Sequence, residues 1–522
     1  MLHSIPFIAP CLYALAAVIA AAGPWARPRR ILAVTNLLSL AAFLVAAASL
    51  GFLLHAGPGT SPAVGGGAFA LAVRHDLLSV VMLLLVTFIG WIVMRYSATY
   101  LDGEGRQGPF TAWMSLTLSA VSLLVIAGTL PLFVASFVAT SLCLHQLLVF
   151  YPGRAAARRA ARKKFILSRI ADVSLALSAI ILGTGYGTSD IATILESARA
   201  GMQPAGADVA VALLAVAALL KSAQFPTHGW LTEVMETPTP VSALLHAGLV
   251  NAGGFILIRF ADVMLLSPIT LAALVMIGAF TAVFGGLVML TQSAVKTSLA
   301  WSTVAQMGFM ILQCGLALFP IALLHIVAHS LYKAHAFLSS GNAVETVLAA
   351  RRPGPVAVPD ARAVARAFLL ALVIYAVAGL AFGFWHKPPQ ALALGAILIF
   401  GVAYLLAQGL ADTAPRALTW RTSLYGLAAS IGYFGLQWAT YRLTAGTVPL
   451  PPQPGPLEWA LIALAVVTFG IVAVAQSLFP LWAYHPAAAG LRVHLQNGLY
   501  VNALFDRLLG HFALTPASAQ KD

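Results

Sequence analysis

Apolar runs, each close to the length needed to cross a bilayer and separated by short polar links, follow one another along most of the chain. A span needs roughly 20 mainly apolar residues to traverse the hydrocarbon core. On that criterion about fifteen spans are predicted. They begin near Ser4, Ile31, Leu77, Phe110, Leu130, Ile166, Asp208, Thr239, Ser267, Leu299, Pro320, Ala367, Gln390, Thr422 and Glu458. Lipid offers no water to an unpaired amide, so apolar spans of this length read as helices. The expected fold class is therefore all-α: a polytopic membrane bundle with at least one broken helix. Residues 1–485 form the membrane domain, and the more polar stretch 486–522 is expected to be a tail at the membrane surface or in the cytoplasm. The first apolar run has no basic residue ahead of it and no small-residue cleavage pattern, so it reads as a first span and not as a removed signal peptide.

Composition agrees with lipid as the solvent. Of 522 residues, 60% are hydrophobic and 9% are charged, against about 25% charged in a soluble domain. The net charge of +13 does not point to nucleic acid, because the basic residues sit in short clusters between apolar runs. Arg27, Arg29 and Arg30 follow the first span, and Arg95 and Arg106 flank the link after the third. Arg154, Arg158, Arg159, Arg162, Lys163 and Lys164 follow the fifth, and Lys296 the ninth. Arg351, Arg352, Arg362 and Arg366 follow the eleventh, and Arg416 and Arg421 the thirteenth. Every cluster falls after an odd-numbered span, hence on one side. Positive charge is retained in the cytoplasm, which predicts a multi-pass inner-membrane protein with its N-terminus outside and its C-terminus inside. Cys11, Cys143 and Cys314 all lie in apolar runs and form no CxxC pair, so neither iron–sulfur ligation nor structural zinc is expected. No glycine-rich nucleotide motif is present, which excludes transport driven by a P-loop in this chain.

An ionisable side chain within a span costs at least a few kcal/mol and marks a candidate functional site. Lys221 ends the run LLAVAALLK, with Pro226 soon after it and Pro238 and Pro240 beyond. Proline removes a helical hydrogen bond, so Lys221 stands just before an interrupted helix, an arrangement that lines ion sites. Snorkelling to the interface is the plainer alternative. Glu233 and Glu236 share a helical face, and His246 lies inside the next span; taken singly, each could be a capping or interfacial residue. His325, His329 and Lys333 recur every fourth residue and form one stripe about 12 Å long, suited to passing a proton along a file of water. His335 points elsewhere on that helix. Zinc on His325 and His329 is disfavoured, because no carboxylate stands beside them as in HExxH. Arg169 and Asp172 are placed to pair near the start of the sixth span, as part of the path or as a structural ion pair.

The segments KSAQFPTHGWLTEVMETPTPVSALLHAG, LAWSTVAQMGFM and HIVAHSLYKAHAFLSSG resemble the core of the antiporter-like subunits of respiratory complex I and of Mrp-type cation/proton antiporters. The resemblance runs from about Arg95 to Gly341. It implies a bundle with broken helices and a hydrated axis at mid-membrane, lined by Lys221, His246, His325, His329 and Lys333, with Glu233 beside the break. Two departures stand out. The family's fifth-span glutamate, partner of the broken-helix lysine, aligns with Val138, leaving Asp172 as the nearest carboxylate to substitute. No match to the second lysine-bearing broken helix is found, and His386 and Lys387 read as a loop. Within the family, SLCLHQLLVFYPGRAAARRAARKKF and NGLYVNALFDRLLG most resemble the membrane subunits of DAB inorganic-carbon accumulation complexes. That implies a carbonic-anhydrase-like peripheral partner of the DabA type, with zinc in the partner and no cofactor in this chain. The leading expectation is thus a subunit that conducts protons, with sodium as the alternative ion, and is not itself an enzyme. A complex I-like or Mrp-type antiporter subunit and a non-conducting membrane anchor are the other readings.

Overall fold

The computed structural model describes residues 2–66, 70–342, 360–383, 385, 387–410, 415–478 and 485–510. A short 3-10 segment, Leu2–Phe7, leads into α1 (Ile8–Ala22). Then come α2 (Arg29–Ala56), α3 (Leu77–Tyr100), α4 (Gln107–Ile126), α5 (Leu130–Leu148) and α6 (Ala155–Tyr186). A short α7 (Ile191–Arg199) precedes α8 (Ala207–Lys221), α9 (Gly229–Glu233), α10 (Thr239–Ala247), α11 (Ala252–Arg259) and α12 (Ala261–Met264). The long helices resume with α13 (Pro268–Met289), α14 (Val295–Gly315), α15 (Phe319–Leu338), α16 (Ala361–Ala381), α17 (Pro389–Gly409), α18 (Arg416–Leu443) and α19 (Pro456–Ser477). Two surface helices, α20 (Pro486–Gln496) and α21 (Val501–Gly510), end the described chain. Residues Gly59–Thr60 and Arg74–His75 add a two-residue antiparallel ladder.

Among the described residues, twelve segments are long and apolar enough to cross a membrane. The other predicted spans fall on α8, α14 and α18. Each is a helix, but α8 is cut to 15 residues by the break that follows it, while α14 carries Lys296, Trp301, Gln306 and Gln313, and α18 has Arg416, Arg421, Gln437 and Arg442. Gln313 and Gln437 are buried among neighbouring helices, where a polar group is tolerated, whereas Arg416, Arg421 and Arg442 are exposed.

Alternate links meet at the same end of the bundle, as a chain that crosses at each span requires. At one end the Gly108 amide donates to the Trp25 carbonyl, and Arg106 donates to Phe150 O at 2.9 Å. Lys296 reaches Thr239 Oγ1, which in turn lies 3.3 Å from the Tyr100 hydroxyl. The basic links therefore converge. At the opposite end, Gly128 N–H donates to Ala72 O and Thr129 bridges Asp190. There Arg259 clasps Asp76, which caps α3, at 2.6 Å, and Arg199 pairs with Asp262 at 2.9 Å.

The tightest helix contact is the antiparallel pair α13–α14. A Cβ on Gly278 would stand 2.4 Å from Leu312 N, one on Gly308 2.4 Å from Ala282 N, and one on Gly315 2.6 Å from Val275 N. These glycines let two backbones touch, the usual means of binding helices where lipid removes the hydrophobic drive. Two crossings are interrupted. One is at Lys221, followed by Ala223 in the left-handed region at φ 49°. The other is at Gly248, where α10 gives way to a 3-10 turn over Leu249–Asn251 before α11. Unwound backbone at membrane depth survives only when buried in protein or lining a wet cavity, and Ser222, Ala223 and Gln224 at the first break and Leu249, Val250 and Asn251 at the second are buried.

Candidate functional site

Two sets of buried polar side chains flank the broken crossing α8–α10. The first surrounds Lys221, whose last helical turn points it at α5 and α6. Its Nζ lies 3.2 Å from Asp172 Oδ1 and 4.0 Å from the centre of the Phe137 ring. Arg169 holds the other Asp172 oxygen at 2.5 Å and donates to Ser141 Oγ at 3.0 Å. Lys164 donates to the Ser141 carbonyl at 3.2 Å. One carboxylate thus faces two cations, and the ring face of Phe137 adds a cation–π contact. No carboxylate comes from α5: Val138 is where the resemblance puts one, and its chain neighbour Phe137 meets the lysine instead. Asp172, from α6, is the acid that partners Lys221.

Glu233 makes no contact with Lys221. Both its oxygens accept from Lys163 Nζ, at 2.7 and 2.8 Å, and Asp506 of α21 lies 2.6 Å from the same nitrogen. The side chain of Glu236 lies outside the described residues.

The second set lies on α10, α14 and α15. His246 is fully buried, stacked on Phe337 with ring centres 4.4 Å apart. Its Nδ1 is 3.1 Å from Thr303 Oγ1, and the Thr303 hydroxyl donates to Leu299 O at 3.0 Å. Lys333 Nζ donates to the same carbonyl at 3.1 Å. A continuous hydrogen-bonded chain therefore joins His246 to Lys333 through a hydroxyl and a main-chain oxygen. Further along the stripe, His325 Nδ1 is 2.9 Å from Gln313 Oε1, and its ring centre is 6.0 Å from that of His329. Neither nitrogen of His329 has a hydrogen-bond partner among the described residues, as suits a group that bonds to water when the site is wet. Asn251, at the Gly248 break, donates to Ser330 at 2.9 Å, one residue from His329. His335 is exposed on the opposite side.

Several polar residues here escaped the sequence reading. Lys163 and Lys164 were counted only as part of a basic link, yet both are buried. His228, between α8 and α9, is fully buried with neither ring nitrogen bonded among the described residues, its ring 5.0 Å from Trp301 and 5.5 Å from Phe284. Lys387 does lie in the link between α16 and α17, but its ammonium is turned inward to Gln437 and sits 4.2 Å from the Phe434 ring. Burial lowers its pKa to about 8. His386 lies outside the described residues. The signal that would have found Lys163 and Lys164 is phase: they fall where a helix already begun at Ala155 turns them inward.

Comparison with known proteins places the chain. The sequence profile described as NADH:quinone oxidoreductase/Mrp antiporter, TM, matches residues 127–356, and that of NADH-ubiquinone oxidoreductase (complex I), chain 5 N-terminus, matches 63–111. The "Probable inorganic carbon transporter subunit DabB2" of Halothiobacillus neapolitanus is 39% identical over 468 residues, covering 88% of this chain and 83% of that protein. The "Probable inorganic carbon transporter subunit DabB" of Hydrogenovibrio crunogenus is 45% identical over 282 residues, 54% of each chain. Among solved structures, the Mrp complex from Dietzia sp. DQ12-45-1b superposes with a TM-score of 0.64 at 22% identity, over 98% of this chain and 59% of that one; this likeness concerns the fold alone.

Proposed function

Because this chain belongs to the antiporter-like membrane-subunit family, together with the inorganic carbon transporter subunits, we propose that it conducts protons through its own core. In this reading it couples their gradient to inorganic-carbon accumulation by a separate zinc-bearing, carbonic-anhydrase-like partner. The chain itself is a coupling subunit and not an enzyme. It sits in a bacterial inner membrane with the basic links and α21 on the cytoplasmic side.

The observation that carries the reading is the pairing of Lys221 with Asp172 at the helix break. A lysine buried beside a single carboxylate, itself shared with Arg169, has two arrangements available: ammonium bound to carboxylate, or a proton passed on and the pair opened. Charge on Lys221 is held by Asp172 and the Phe137 ring; loss of that charge frees Asp172 to the Arg169 guanidinium. The second set then supplies the onward route. His246, through Thr303, and Lys333 are both fixed on the Leu299 carbonyl, which accepts from each side and carries no proton of its own, so a proton crosses between them on water; His329 and His325 extend the stripe along α15. Protons fit better than sodium, because titratable nitrogens line the route and no cage of carboxylates does. Glu236 is assigned to the same path only by its place beside Glu233.

The test is complementation. Cells unable to grow in air without supplied CO2 receive this chain with and without a candidate carbonic-anhydrase-like partner. Growth that requires both, and that stops on adding a protonophore, is the expected result. Lys221→Ala should abolish growth while the protein still inserts at wild-type level, as judged by its amount in washed membranes. Growth of that variant in air would overturn the assignment of Lys221. Restored cation tolerance or redox-linked pumping, in place of growth, would move the chain to the antiporter branch of the family.

A further inference from the structure

Lys163 lies at the cytoplasmic end of the broken crossing, and only 2% of its side chain is exposed. It is held from two sides, by Glu233 at the end of α9 and by Asp506 of α21. Asp506 is the most open of the three: 40% of its side chain is open to solvent, against 30% for Glu233. The helix that carries it is fitted to this place. Asn502 donates to Thr232 Oγ1 at 3.4 Å, and it packs where a side chain at position 229 would be; a Cβ on Gly229 would meet Asn502 Oδ1 at 1.7 Å. Gly498, at φ 57°, lies against the Trp301 ring, with an added Cβ 3.2 Å from it. Leu495 and Phe505 pack on the main core. Behind Lys163, its chain neighbour Lys164 begins the buried series Ser141, Arg169, Asp172 and Lys221.

We propose that Asp506 is a residue of the ion path: the solvent-facing carboxylate that takes protons from water at the cytoplasmic mouth and passes them through Lys163 and Glu233 toward the Asp172–Lys221 pair. The step is a balanced exchange. The Lys163 ammonium gives a proton to Glu233, the neutral amine regains one from the carboxylic acid of Asp506, which is left as carboxylate to be protonated again from water, and Glu233 returns to carboxylate by releasing its proton to water leading to the buried series. The inference rests on the proton-conducting reading above. Its geometry also answers a plainer possibility, that α21 is a plug. A plug would hide its charged group from water, whereas Asp506 is the most open member of the set.

The experiment uses the full chain in proteoliposomes, with a pH-sensitive dye inside and a potassium diffusion potential as the driving force. Asp506→Asn should lower proton flux on the order of tenfold or more, the scale on which a positioned acid–base group acts. Asp506→Glu should restore it, and so should external formate added to the Asn variant; neither rescue is expected of a residue that only anchors the helix. A second variant, Thr232→Cys with Asn502→Cys and the native cysteines replaced by alanine, is joined by a short thiol cross-linker. Flux through the joined protein close to that before joining is the expected result. Wild-type flux in Asp506→Asn, or flux stopped by the cross-link, would overturn the proposal. Lys221→Ala is the control. If it is silent while Asp506→Asn conducts normally, only the role of Asp506 falls. If the wild type does not conduct, the conducting reading falls and this inference with it.

Discussion

At the scale of single residues, the decisive contact is Asp172 with Lys221. Removing one partner of a buried ion pair costs about 3–5 kcal/mol, since the other is left charged without a partner. Asp172→Asn should therefore cut proton flux at least about as far as Lys221→Ala does and lower the yield of folded protein by a comparable stability loss. Asp172→Glu, which keeps the charge, should retain part of both. Flux in vesicles and monodispersity in detergent would read the two effects separately; an Asn variant with normal flux would remove Asp172 from the path. Lys221, His246, His325, His329 and Lys333 were legible in the sequence because charge and titratable nitrogen are costly in an apolar run. Lys163 and Lys164 were not, because a basic cluster after a span already has an explanation in sidedness. Asp506 was not, because its partner Lys163 lies far away in the sequence and is brought to it only by the fold.

At the scale of helices, the seam between α13 and α14 holds the site's back wall. Helix α13 presents Phe284 to His228, and α14 presents Leu299, Thr303 and Trp301. The seam is a contact of backbones, so added volume has nowhere to go. Gly308→Val should force the helices apart by the bulk that now meets Ala282, reduce folded yield and lower flux together, whereas Gly286→Ala, whose Cβ would meet nothing within 4 Å, should be neutral. Thermal unfolding of the two purified variants compares them directly. Helix positions were well marked by hydropathy, and the prolines after Lys221 announced the first break. The second break, at Gly248, carried no proline and no charge, and the apolar run passes through it unmarked. Its consequence, an Asn251 turned to Ser330, comes from packing between two crossings that a single run does not show.

At the scale of the molecule, the two ends differ in kind. One gathers the basic links. The other is closed by ion pairs, chief among them Asp76 with Arg259, which ties the start of α3 to the end of α11. Burial by itself would raise the Asp76 pKa, but the Arg259 guanidinium, helped by Arg74 and the Ser79 amide, outweighs it and holds the carboxyl well below its usual range. A carboxyl depressed in the folded state contributes its stability above the unfolded value, about 3.9, and loses it only as pH falls through the folded one. Asp76→Asn should lower the Tm of the solubilised protein by an amount that stays constant from neutral pH down to about 5 and narrows only in stronger acid. A difference that already shrinks between neutrality and that point would show the clasp to be weaker than its geometry. The position of Asp506 has a last consequence, in the order of synthesis. The chain reaches it only after Ser477, the end of the last described span, has been made. If the mouth needs that carboxylate, the newly inserted bundle is a poor leak until α21 has folded back, and a cell assembling the protein does not drain its own gradient while doing so.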